Sequence, residues 1–194
     1  MFHSSLPHLH SKPLGFNADD LAKRTMVAFG PGSAYDNSPS ASQDTKTKDA
    51  SKLPKEGKWQ TFLLRRFVNC HAAGKKVEDL EEEDTNVDPD NIPRIVPLVA
   101  LYAGKPDLLQ LAEEAALQIQ VADTTVSIVL ATCRIMEQYV LSVDKPVERV
   151  IEDLKSPSRI LPQSLDRAVA GYLQTALESE GLPVAEVTQK FGKA

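Results

Sequence analysis

The amino-acid sequence predicts an all-α protein, and three observations carry that reading. From Trp59 onward, large apolar residues recur at spacings of three and four. Gly and Pro punctuate these segments where helices start and stop. No run alternates apolar and polar residues with the period of a strand. Six to eight helices joined by short turns are expected, and their irregular spacing excludes a solenoid.

The first 16 residues, with His3, His8, His10, Pro7 and Pro13, are expected to be a disordered terminus rather than a metal site. Asn17 with Asp20 three residues on resembles a capping box. Leu21, Met26, Val27 and Phe29 supply an apolar side, so residues 17–29 read as a capped helix stopped by Gly30-Pro31-Gly32. Residues 30–58 are rich in Ser, Asp, Lys, Thr and Pro. They hold too little apolar surface to offset the entropy of ordering, and the expectation is a flexible polar loop.

Residues 59–194 are expected to form the helical core, with an acidic connector at 76–91. Trp59, Phe62, Leu63, Phe67 and Cys70 line one side of a helix over 59–73, with Gly74 as its stop. Ile95 to Tyr102 reads as a buried helix with Pro97 in its first turn. Pro106 and Asp107 open the next helix, whose core side is Leu108, Leu109, Leu111, Ala112, Ala115 and Ile119. Asp123 or Thr124 caps a long helix whose apolar residues wrap most of its circumference, which predicts a central position. Pro146 starts another, Leu165 to Leu177 mark one more, and a last short helix follows Pro183.

Composition narrows the function classes. The 194 residues suffice for one domain. A net charge of −5, from 22 Lys and Arg against 27 Asp and Glu, argues against nucleic acid as a partner. No apolar stretch is long enough for a membrane span and the N-terminus is unlike a signal peptide, so a cytoplasmic chain with reduced Cys70 and Cys133 is expected. Asp84, Asn86, Asp88 and Asp90 imitate the start of a calcium loop, but Pro89 and Ile95 stand where it needs Gly and Glu. Cys133 lies on an apolar helix side and reads as core. Asp19 and Asp20 are adjacent on a helix and do not face each other, which fits the helix dipole rather than acid–base chemistry.

Four segments are distinctive together: Pro13 to Leu21, Phe29 to Tyr35, Ile95 to Pro106, and Pro162 to Val169 (Pro-Gln-Ser-Leu-Asp-Arg-Ala-Val). They resemble the J-crystallin and selenoprotein J branch of the ADP-ribosylglycohydrolase superfamily, over most of the chain outside the polar loop. The resemblance implies a partial ADP-ribosylglycohydrolase-like helical bundle. In active members two magnesium ions help cleave the glycosidic bond of ADP-ribose, held by Gly-Asp, Thr-Asp-Asp-Thr and Gly-Gly-Asp-x-Asp motifs. None of these motifs occurs here, so neither catalytic residues nor a metal or other cofactor is expected in this chain. The sequence ends at Phe191 to Ala194, ahead of where the late motif would fall, which makes it resemble the central portion of a longer protein.

By the same resemblance, Asn91 and Arg94 match the family's Asn-Gly-x-x-Met-Arg stretch near the substrate cleft, and Gln120 and Asp123 flank the turn where it has Thr-His. Helix capping is the competing expectation for Asp123. The functional expectation is a J-crystallin-like chain without hydrolytic competence of its own and with a structural or unknown role. The alternatives are a helical interaction module, recruiting a protein partner or a second copy through exposed apolar faces, and a fragment or isoform of an active magnesium-dependent hydrolase.

Overall fold

The computed structural model describes residues 15–33, 35, 60–75 and 91–191. Eight α-helices and no strand are present among them. Residues 34 and 36–58 of the polar loop, residues 76–90 of the acidic connector, the calcium-like alternation, the three N-terminal histidines and Trp59 lie outside the described residues.

Helix α1, Ala18–Phe29, begins at Asn17, whose side-chain oxygen accepts from the Asp20 amide at 3.1 Å. It closes at Gly30, where the backbone becomes extended and only glycine fits, since a Cβ there would stand 2.5 Å from the Met26 carbonyl oxygen. Helix α2, Phe62–Ala72, starts three residues later than the sequence pattern predicts. Thr61 explains the difference, because its hydroxyl accepts from the Leu64 amide at 3.2 Å while its backbone is extended. Gln60 is buried and donates to the carbonyls of Phe29 and Tyr35, both at 2.8 Å, which joins the exit of α1 to the entry of α2.

Helix α3, Ile92–Tyr102, starts before the expected Ile95. Pro93 occupies the opening turn, where a missing amide is harmless, and Pro97 is therefore interior. Helix α4, Leu108–Leu117, turns back along it through Gly104, whose φ of +78° suits glycine. Helix α5, Asp123–Val140, takes the central position its pattern predicts. Its cap is Ala122, with no side-chain bond, so Asp123 is the first helical residue and not the cap. Helix α6, Pro146–Lys155, follows a left-handed Lys145, and α7, Asp166–Leu177, buries Asp166 and Ala170 while Tyr172 stays half exposed. Helix α8, Val184–Phe191, buries no residue and meets α7 through the stacked rings of Tyr172 and Phe191.

Three apolar clusters hold these helices. Ile95, Leu98, Val99 and Tyr102 of α3 pack with Leu108, Leu111 and Ala112 of α4 and with Val126, Val129, Leu130 and Cys133 of α5. Ala22, Leu63, Phe67, Val68 and Ile119 fasten α1 and α2 to the end of α4. Ile119, predicted for the core side of α4, thus lies past that helix and serves the second cluster. Ala131 of α5 meets Val150, Ile151, Leu154 and Ala170 in the third. None of the helices is long and apolar enough to cross a membrane, among the described residues.

Candidate functional site

The topology gathers polar residues at one end of the α3–α4–α5 unit. The amide of Gly104, just past α3, donates to Glu137 Oε1 near the end of α5 at 2.8 Å. The C-terminal ends of α3 and α5 therefore lie together. Helix α4 runs back between them, so the start of α3, the end of α4 and the start of α5 meet at the opposite end. Asn91, Arg94, Gln120 and Asp123 all belong to that end.

Their environments differ. Asn91 is 1% exposed, and neither its amide nitrogen nor its oxygen has a hydrogen-bond partner. Gln120 is buried and Arg94 is half-buried. Asp123 is exposed, and its carboxylate accepts from the Ser164 hydroxyl at 2.9 Å. Thr125, in the first turn of α5, is also buried with an unpartnered hydroxyl. A buried polar group without a partner is costly, so residues of this kind mark places where other polar groups belong.

The polar residues that sequence reasoning passed over lie along the neighbouring face of α5. Asp123, Ser127 and Arg134 recur at spacings of four and seven, which puts them on one helix face. Residues 156–166 run along that face. The Arg134 guanidinium donates through Nη2 to the Ile160 carbonyl at 2.6 Å, and its Nε lies 3.2 Å from Asp153 Oδ2. That second approach is close enough for an ion pair, but the N–H is not aimed at the oxygen, and Nε has no hydrogen-bond partner. At the other end, Ser164 reaches Asp123 and Gln163 Nε2 donates to Glu113 Oε1 at 3.1 Å.

Asp166 anchors the segment. Fully buried, its Oδ2 accepts from Arg159 Nε at 2.5 Å and from the Gln163 amide at 2.8 Å. Arg159 also donates to the Ser156 carbonyl at 2.8 Å. A buried carboxylate is tolerated when it is paired and bonded in this way. Between the two anchors, Leu161 is held at φ +51°, a conformation that costs a branched residue about 1–2 kcal/mol. The sequence signals for this arrangement were an Arg in an otherwise apolar helix and the distinctive Pro162–Val169 segment.

Cys133 offers no nucleophile here. Burial first, and Glu137 second, push its thiol up to about 12, against the opposing effect of Arg134, so the thiolate is not populated near neutral pH. Cys70 is likewise a buried thiol outside any disulfide.

The described residues form an all-helical bundle in which Asp20, Asp123 and Asp166 bond neighbouring side chains. The chain is distantly similar to two J1 crystallins of the jellyfish Tripedalia cystophora, which are members of the ADP-ribosylglycohydrolase family. Crystallin J1B is 27% identical over 178 residues, covering 92% of this chain and 49% of that protein. Crystallin J1A is 28% identical over 127 residues, covering 66% of this chain and 35% of that protein. The chain thus spans half or less of the length of these relatives. No family model matches the chain, and no solved structure matches it.

That family implies a magnesium pair, which needs several oxygen ligands brought together from different helices. Among the described residues, no three Asp, Glu, His or Cys side chains lie where they could share a metal ion. Asp20 bonds Arg24, Asp123 takes the Ser164 hydroxyl, and Asp166 takes Arg159. The described residues do not fit a magnesium pair.

Proposed function

We propose that this chain serves as a structural, J-crystallin-like helical module without glycohydrolase activity of its own. The observation that carries the reading is the commitment of Asp123 and Asp166 to bonds that hold the fold together. Carboxylates engaged by Ser164, Arg159 and the Gln163 amide stabilise a loop; metal-assisted hydrolysis needs carboxylates directed at an ion. The similarity to proteins named crystallins supports the same role. The test is incubation of the whole chain with an ADP-ribosylated protein and magnesium. ADP-ribose release no faster than in the protein-free blank is expected, and release that magnesium chelation abolishes would overturn the reading.

A second reading, self-association, draws on Leu101, Tyr139, Val140 and Leu141, exposed near the C-terminal ends of α3 and α5. Exposed apolar side chains in one region favour a covering partner. Sedimentation of the same sample separates the two readings: a concentration-independent monomer removes the second.

A further inference from the structure

We propose that residues 156–165 form a strap that opens and closes over the polar face of α5 as one local unit, latched by the ion pair of its Arg159 with Asp166 at the start of α7. Three independent features point to it. The strap is tied to the helices around it through polar groups at four places: Arg159 to Asp166 of α7, Ile160 to Arg134, Gln163 to Glu113, and Ser164 to Asp123. Polar ties of this kind exchange for water on opening with little net loss, whereas buried apolar area does not.

The second feature is the backbone. Leu161 holds a left-handed φ of +51° between the two anchors, although it is neither Gly nor Asn. Strain of this kind persists only while the surrounding bonds enforce it, and it relaxes when the segment lifts. Exposure of the neighbouring Ile160 and Pro162 leaves Leu161 as the strap's apolar contact with the main core.

The third feature is what lies beneath. Ser127 is fully buried with no partner for its hydroxyl, Arg134 Nη1 has none, and Asp166 Oδ1 has none. Ser127 lies between Asp123 and Arg134 on the face of α5 that the strap crosses, because Ser164 bonds the first of these residues and the Ile160 carbonyl the second. A closed strap therefore covers donors and acceptors it does not satisfy. Opening admits water to them, which lowers the cost of the open state. The strap accordingly gates access to the Ser127–Arg134 face of α5.

Trypsin cleavage of the folded chain after Arg159 reads the opening, because the Arg159 side chain is held by Asp166 and Ser156 when the strap is shut. Cleavage after Arg149, inside α6, reads opening of the surrounding helices. Mass spectrometry follows both new N-termini. In the unaltered chain, cleavage after Arg159 is expected to run ahead of cleavage after Arg149. Asp166→Asn preserves size but removes the charge, and is expected to speed the Arg159 cut by about tenfold or more while leaving the Arg149 cut unchanged. Gln163→Ala with Ser164→Ala removes only the outer ties and gives a smaller acceleration, which keeps the test valid if Asp166→Asn does not fold. Equal rates at both sites in the unaltered chain, or acceleration of both sites alike in the variants, would show that the segment moves only with its helices and would end the proposal.

Discussion

Helix α5 presents two unlike faces, and the contrast explains how the molecule divides its labour. Toward α3 and α4 it offers Val126, Val129, Leu130 and Cys133, all buried against Leu98, Val99, Leu111 and Ala112. Toward the strap and α7 it offers Ser127, Ala131 and Arg134. The first face is held by apolar burial, which is non-directional and lost only when the helices part. The second is held by small side chains and directed polar bonds, which specify one register but add little net stability. One face supplies cohesion and the other supplies geometry.

The largest expected effect lies on the first face. Leu130→Ala removes a fully buried side chain from the centre of the main cluster and should cost about 2–5 kcal/mol, measured as a shift in the urea midpoint. Arg134→Ala on the second face should cost less, about 1–3 kcal/mol, through the lost bond to Ile160 and the unpaired Asp153. Asp153 is 45% exposed, so water can replace the guanidinium that it loses. If the Arg134 variant proves as damaging as the Leu130 variant, the polar face carries cohesion as well and the division fails.

The apolar face was the legible one. Spacings of three and four, with Gly and Pro as punctuation, pointed to six to eight helices, and eight are present among the described residues, because burial imposes that period directly on the sequence. Helix starts were less legible. Thr61 capped α2 in place of a residue near Trp59, and Pro93 drew the start of α3 back to Ile92, because capping depends on single bonds that periodicity does not encode. Asp123 stood out as a cap, yet its partner is Ser164, 41 residues away. Arg134 with Ile160 is separated by 26 residues, and Gln163 with Glu113 by 50. Nothing in local spacing announces pairs at such separations. The Pro162–Val169 segment was conspicuous as a motif, but the burial of Asp166 that gives it meaning follows only from the packing of α7 on α5.

Cys133 sharpens the contrast from inside the apolar face, with the smallest effect of the three. Its thiol titrates near its ordinary value of 9.0 in the unfolded chain but is pushed up to about 12 in the folded one, chiefly by burial. The folded state therefore holds this proton more tightly. The resulting stability is fully present below about pH 9 and is lost as pH rises towards about 12, because the unfolded thiol ionises while the folded one does not. Cys133→Ala abolishes that titration and leaves only a small packing defect. Urea midpoints at about pH 8 and about pH 10.5 should then show the unaltered chain losing more stability with alkali than the variant does. A parallel decline in both would mean that water reaches the sulfur, and that the face of α5 turned toward α3 and α4 is not the dry one.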